Sequence, residues 1–378
     1  MLVLGATACS VEPAKQPAPI GQLPTAVTTA EPEWVPFRSL AGRSVSPDPR
    51  ERHLGGLRQL TTDGAAGMAA WSGDGTRLLY QSVVPASPCT RLRMLDLRTG
   101  HSEPLPPTHG WVGSAAFAPD SKAKPVAVVS FAPDPQQGCP PLGPALRGPR
   151  FALPQSDVYT LDVATGDLEP LITGPAFDGN VAVSPAGTRL AFTSTRSGDP
   201  ELYLSRADGS DVVRITDAPG YDGGAAFSPD GSKLAWHAER PAASAASAYR
   251  ERVASGALEP ERLGLMLAGS EGQHALVLID DGQMNMSPTF FPDSRRILFA
   301  SNRDAGRSGG EPNFELYVID PDGSPTLEGH PALERVTFYD GFDGAPIWSP
   351  DGKYVAFVSS RAAAKPGQTN LFVARWED

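Results

Sequence analysis

The sequence has little of several things at once. No run of eighteen uninterrupted apolar residues occurs, which excludes a membrane-spanning helix on length. No cluster of lysine and arginine stands out, and the net charge is −11, so the basic footprint that a nucleic-acid partner requires is missing. The six histidines (His53, His101, His109, His237, His274 and His330) include no pair at helical spacing, which leaves a zinc site without support. Ala-rich helical stretches are scarce outside one segment, and cysteine is limited to Cys9, Cys89 and Cys139. Gly and Pro, at 39 each, are what the chain has instead, a turn load that favours many short strands.

Those strands recur in phase. Six passages align: "WSGDGTRLLYQS" from Trp71, "FAPDSKAKPVAVVS" from Phe117, "VSPAGTRLAFTS" from Val183, "FSPDGSKLAWHA" from Phe227, "FFPDSRRILFAS" from Phe290 and "WSPDGKYVAFVS" from Trp348. In each, a Pro-Asp-Gly type turn reverses the chain. An aliphatic residue follows (Leu78, Val126, Leu190, Leu234, Ile297, Val355), and two residues later comes Tyr80, Val128, Phe192, Trp236, Phe299 or Phe357. A period of two puts both on one face of a strand that packs against a neighbouring sheet.

A third strand recurs after a variable loop, in "RLRMLDL", "DVYTLDV", "ELYLS", "LGLMLA", "ELYVID" and "NLFVARW", and fourth strands follow, most clearly "VVRIT" and "LERVT". Four antiparallel strands per unit make a propeller blade, and six units make an all-β, six-bladed β-propeller. The sixth unit ends with its third strand at the C-terminus, leaving a sheet edge that needs cover. "LRQLT" (57–61) has the form of a fourth strand yet precedes the first unit; pairing it with residues 370–376 would close the ring.

The pattern "SPDG…AF.S.R…LY….DG…R.T" resembles the TolB-like propeller repeat of bacterial envelope proteins over residues 57–378. True TolB carries an α/β domain before its propeller, whereas a Pro-rich stretch precedes this one. The resemblance implies a non-catalytic scaffold that binds a protein or peptide in the cell envelope, outside the cytoplasm. The N-terminus fits that placement: "MLVLGATACS" is similar to the tail of a lipoprotein signal (residues 1–9), with the true start upstream of Met1 and lipid carried on Cys9. The alternative is an unprocessed N-terminus. Membrane contact is then expected only through that anchor, in the periplasm, and Ser10 after Cys9 hints at the outer membrane. Residues 10–55, rich in Pro, Ala and Thr, read as a disordered tether, and the propeller is expected to act as a monomer.

Departures from the repeat mark further candidates. "PAASAASAYRERVASGALEPERL" places a helix at about 241–261, between the second and third strands of blade four, as a partner site or a decorated loop. Cys89 and Cys139 lie in the corresponding loops of blades one and two, and an oxidising compartment makes a Cys89–Cys139 disulfide natural; two free cysteines are the alternative. "GRSGG" (306–310) matches G-x-S-x-G but lacks the strand-to-helix setting of a nucleophile. His237 and Glu239 form a polar pair after a second strand, suited to loop hydrogen bonds or to the ring's face.

The strongest candidate site is a ring of acids. Asp63, Asp178, Asp222 and Asp343 each precede the innermost strand of a blade, and Asn285 stands near the matching place in blade five. Converging carboxylates would favour a cation or a partner's basic segment; no cofactor is expected, Ca2+ in the channel being the alternative. The local alternatives are turn-capping by the Asp residues, and pairing of Arg196, Arg303 and Arg361 with neighbouring acids. Two further functions stay open: a metal-dependent propeller hydrolase of lactonase or esterase type, and a small-ligand or glycan binder.

Overall fold

The computed structural model describes residues 39–83, 89–107, 109–118, 126–132, 151–305, 313–323 and 332–378. Six antiparallel sheets stand around an axis, and each is ordered from its innermost strand outward. Blade one runs Ala66–Trp71, Arg77–Val83, Thr90–Asp96, Ser102–Leu105, and blade two Trp111–Phe117, Val126–Ala132, Asp157–Asp162, Leu168–Ile172. Blade three is Asp178–Val183, Arg189–Ser194, Glu201–Arg206, Val213–Arg214, and blade four Tyr221–Phe227, Lys233–Glu239, Gly264–Gly269, Leu276–Ile279. Blade five is Asn285–Phe290, Ile297–Ser301, Glu315–Ile319, Leu333–Arg335; blade six opens with Asp343–Trp348, Tyr354–Ser359 and Asn370–Trp376.

The turn between first and second strands shows why the motif reads as it does. Ser72, Ser228 and Ser349 each donate Oγ–H to the Asp two residues on, at 2.6 Å, and accept a backbone N–H from the residue five on. The glycine that follows the Asp sits at φ of 65–72° (Gly75, Gly231, Gly352), a left-handed position that other residues adopt at a cost. The second strand then enters the core with both faces covered. Its large residue (Tyr80, Phe192, Trp236, Phe299, Phe357) packs toward the preceding blade, and the smaller one before it (Leu79, Ala191, Ala235, Leu298, Ala356) toward the next. Six apolar clusters result, one in each gap between sheets, and a wedge of large and small faces curls them into a ring. Each large, fully buried side chain contributes roughly 1.5–3 kcal/mol.

The closure is the one expected. Leu54–Gln59 pairs antiparallel with the last strand, with Leu54 opposite Trp376 and Gln59 opposite Phe372. The side chain that ends the motif explains the match. Leu371 N–H donates to Thr61 Oγ1 at 2.9 Å, just as Leu202 N–H donates to Thr216 and Leu316 N–H to Thr337, both at 2.8 Å. The threonine of "LRQLT" therefore does for blade six what those of "VVRIT" and "LERVT" do for blades three and five.

The expected tether of 10–55 is too long by at least its last part. Arg43–Ser44 adds a fifth strand outside Leu54–Gln59, Ala41 N–H reaches Leu97 O at 2.7 Å, and Leu40, Glu51 and His53 are buried. This stretch lacks apolar periodicity because edge pairing and ion pairs order it, rather than an apolar face. The blade-four insert is a helix, α1 (Ala246–Ala254), shorter than expected and followed by a two-residue strand. Among the described residues no helix is long and apolar enough to cross a membrane.

Candidate functional site

In an antiparallel blade the start of the first strand, the end of the second and the start of the third lie at one end. The candidate acids and the long loops after the second strands therefore share a face. That face is built on a repeated local device. Asp178, Asp222, Asn285 and Asp343 each open or nearly open a first strand and have no exposed surface. Two residues on, the backbone turns left-handed at Asn180, Gly224, Ser287 and Ala345, and the pairing register shifts there, which is a β-bulge. In three of the blades the intervening residue is glycine for want of room. A Cβ on Gly179 or Gly344 would stand 2.5 Å from the ring of Phe177 or Phe342, and one on Gly223 would stand 2.2 Å from the Tyr221 hydroxyl. Aromatic-Asp-Gly is thus one unit: the ring folds back across the glycine while the carboxylate turns into the blade.

What the carboxylate meets is an arginine eighteen residues later, beyond the second strand. Arg196 Nη2 donates to both oxygens of Asp178, at 2.9 and 3.0 Å. Arg240 Nη2 donates to Asp222 Oδ1 at 2.7 Å, and the Trp236 indole donates to the same oxygen at 2.7 Å. Arg303 Nη2 donates to Asn285 Oδ1 at 2.6 Å; an amide stands where the other blades have an acid, and Asp281, 3.2 Å from Arg303, supplies the charge. Arg361 donates to Asp343 through Nε at 3.2 Å and Nη2 at 2.5 Å, and through Nη1 to Glu51 at 2.7 Å. Burial holds the carboxyls of Asp178, Asp222 and Asp343 above their ordinary range, with the arginines opposing it.

The expected open ring of acids is therefore not what the chain builds. Three of its members and Asn285 occupy matching places, but each is compensated inside its own blade, so the mutual repulsion that would draw in a cation is already met. Asp63 is not one of them. It is exposed, and the matching residue of blade one is Ala66, since Ala65 bridges Thr369 as Phe177 bridges Ser156 and Phe342 bridges Phe314. The arginine-pairing alternative holds for Arg196, Arg303 and Arg361; turn-capping does not describe these side chains. Arg240 and Glu51 were not singled out in the sequence. The eighteen-residue spacing could have found Arg240; Glu51 lies outside the repeat. Among the described residues no group of three or more His, Cys, Asp or Glu is placed to hold a metal ion.

A second acid recurs at the start of third strands. Thr216 Oγ1 donates to Glu201 at 2.5 Å, and Thr337 Oγ1 donates to Glu315 at 2.5 Å. Burial, with Asp222 and Asp199 nearby, pushes Glu201 up to about 7, and burial raises Glu315 as well. His237 is not at the rim: it lies buried in its strand with its ring 5.6 Å from that of Tyr221, and burial pulls it down to about 4. Glu239 is buried too, 3.6 Å from Arg252.

Over this face the inserts join. Ala257–Leu258, following α1, pairs with Phe151–Ala152 from the blade-two loop, and Leu153 N–H donates to Gly256 O at 2.8 Å. The ribbon links two blades that are not neighbours and so passes over blade three. Tyr249 of α1 is buried and donates its hydroxyl to Asp199 of blade three at 2.7 Å. Leu153, Tyr249 and Leu258 share one apolar cluster with Phe177, Tyr221 and Met284, the residues that precede the buried polar positions. Cys89 is disulfide-bonded. Cys139 and Cys9, like the "GRSGG" segment, lie outside the described residues.

The family model of the TolB beta propeller domain matches residues 149–266. The Tol-Pal system protein TolB of Alcanivorax borkumensis is 34% identical over 97 residues, 26% of this chain and 19% of that protein. A TolB homolog of Chlorobium chlorochromatii is 28% identical over 223 residues, 58% of this chain and 40% of its own length. The matched stretches thus span less than half of these relatives. Among solved structures, TolB from Acinetobacter baumannii superposes with a TM-score of 0.54 at 18% identity, over 80% of this chain and 65% of that one. A gluconolactonase from Xanthomonas campestris superposes at 0.52 and 14% identity, over 88% and 94%. At such identities the likeness is one of fold.

Proposed function

Starting from a TolB-like propeller protein, we propose that the chain is a non-catalytic binding scaffold for a protein or peptide partner in the bacterial envelope, and that the partner docks on the face built by the inserts. One observation carries this: the loops of blades two and four join in a ribbon over blade three, anchored by Tyr249 on Asp199. Irregular loops held on a rigid scaffold are where recognition surfaces usually sit. The buried acids beneath are spoken for by Arg196, Arg240, Arg303 and Arg361, which gives them a structural task and leaves the surface above them to recognition. The Tol-Pal name of one relative fits an envelope partner. In the same proposal Cys9 carries the lipid and Cys89 bonds to Cys139, which sets the propeller outside the cytoplasm.

Photo-crosslinking in cells tests the face. A benzophenone side chain at exposed Glu251 on α1 is expected to capture a discrete partner, whereas one at exposed Lys353, in a turn at the opposite end of blade six, is not. Capture from position 353 alone would overturn the assignment.

A further inference from the structure

Every blade of a propeller presents its outermost strand to solvent, and an unpaired strand edge invites another strand unless something blunts it. Five of the six edges here are blunted. Blade one ends in Ser102–Leu105, with Glu103 and Pro104; blade two ends in Leu168–Ile172, with Glu169 and Pro170. Blade three offers two residues, Val213–Arg214, and blade five the charged Leu333–Arg335; blade six is covered by Arg43–Ser44. Blade four differs. Its outermost strand, Leu276–Ile279, reads Leu-Val-Leu-Ile, without charge or proline, and Leu276 and Val277 are 49% and 59% exposed.

Beside this edge lies a cleft. Val277 is paired with Met266, whose side chain packs into the gap between blades three and four, and paired residues share a face. The outer part of that gap is a cavity of about 520 Å³ lined by Leu204, Val212, Val213 and Ile215 together with Asp211 and the Arg189–Glu271 ion pair. Val213 is itself exposed. A strand laid along Leu276–Ile279 would thus find main-chain partners on one side and, for alternate side chains, a slot of mixed apolar and charged lining.

We propose that the edge of blade four is a strand-addition site for an extended, basic segment of a partner protein. This rests on the scaffold reading above and gives it a second surface. Charge selects the occupant. The strand is followed directly by Asp280, with Asp281 and Glu271 nearby but already facing Arg303 and Arg189, in a chain of net charge −11. A second copy of this chain would bring the same acids and the same net charge to the contact, whereas Lys or Arg beside alternate apolar residues meets both the acids and the slot. Strand addition draws its affinity from the main chain and tolerates many sequences, so a generic probe suffices.

The probe is a fluorescein-labelled peptide, Lys-Thr-Val-Lys-Val-Thr-Val-Lys, titrated against the full chain by fluorescence polarisation. Two further versions carry N-methyl groups on every second residue, one in each phase. Saturable binding is expected, lost in one methylated phase and kept in the other, because only alternate N–H groups face the edge. The double variant Leu276→Asp/Val277→Asp, at two exposed positions, is expected to weaken binding at least tenfold although it adds negative charge. Equal binding of both phases, tighter binding by the double variant, or no binding of the unmodified peptide would overturn the site. So would sedimentation showing a dimer that the double variant abolishes, which would assign the edge to a second copy. The crosslink from position 251 is independent: if it persists while the peptide fails, this inference falls and the scaffold reading stands.

Discussion

Replacing Arg361 by methionine tests the closure of the ring more sharply than any apolar truncation. Arg361 is 5% exposed and donates to two carboxylates, Asp343 of its own blade and Glu51 of the segment that leads into the closing strand. Glu51 in turn accepts the N–H of Phe338 at 2.9 Å and of Asp48 at 2.9 Å, so the guanidinium ties the head of the domain to its tail through buried, charge-assisted bonds. Methionine fills much of the same volume and leaves two acids buried without a counter-charge. Breaking a buried pair from one side costs about 3–5 kcal/mol, and the loss belongs at the top of that range because two acids are orphaned together. Arg240→Met is the internal control: besides the Tyr221 and Glu239 carbonyls, Arg240 serves the single carboxylate of Asp222, and the Trp236 indole remains to donate, so a loss of about 3 kcal/mol, the low end of the same range, is expected.

The assay is urea unfolding followed by tryptophan fluorescence, with midpoints compared at constant slope. The triple variant Glu51→Gln/Asp343→Asn/Arg361→Met removes the charges together and is expected to recover more than half of the loss, since a buried ion pair is worth little against neutral groups of similar size. If Arg361→Met costs no more than Arg240→Met, or if the triple variant is no more stable than the single one, the claim that this triad closes the ring is refuted.

Other expectations follow from the same geometry. Glu201→Gln changes pH dependence: the folded carboxyl is pushed up to about 7 from 4.5, so between those values the unfolded chain has lost a proton that the folded chain keeps, and stability falls as pH rises. The variant should match the wild type near pH 4.5 and exceed it at pH 8 by at most about 3 kcal/mol, and equal stability at both pH values would count against the shift. Leu57→Ala, at a position with no exposed surface in the closing strand, should cost about 2–5 kcal/mol in the same urea assay and speed proteolysis of the N-terminal segment. Peptide mapping without reductant should recover Cys89 linked to Cys139; recovery of Cys89 linked to Cys9 would remove the lipid attachment.

The ring was legible because its signals are local and repeated. Alternation in the second strands, the Ser-Pro-Asp-Gly turn and the orphan "LRQLT" each place a residue through one neighbour or one pairing, and six copies in phase left little freedom. The acids were located but misassigned. Asp178, Asp222 and Asp343 precede inner strands, and from order alone they converge on the channel. Their partners are eighteen residues away, on the far side of a hairpin, where no local pattern reports them. Asp63 imitated the pattern because "TDG" looks like "FDG" without the aromatic that marks the position; the missing ring was the available sign. Residues 39–53 were hidden for another reason: edge pairing and a salt bridge leave no periodic trace in a sequence.

A repeat spends its in-phase residues on assembling the repeat. Here the serine and Asp of the turn bond each other, the Asp of the inner strand holds an arginine, the acid of the third strand holds a threonine, and the aromatics fill the gaps between sheets. Residues committed in this way in several blades have little freedom left to recognise one partner. Selectivity must then come from what is out of phase. On the described surface two features qualify: the ribbon over blade three, which no other pair of blades forms among the described residues, and the uncharged outer strand of blade four. Both belong to blade four, which departs furthest from the common pattern by carrying the helix, half of the ribbon and the unblunted edge. A variant that grafts the blade-two edge, Leu-Glu-Pro-Leu, onto positions 276–279 would keep the blade's inner strands and abolish strand addition, while the crosslink from position 251 stays as it was.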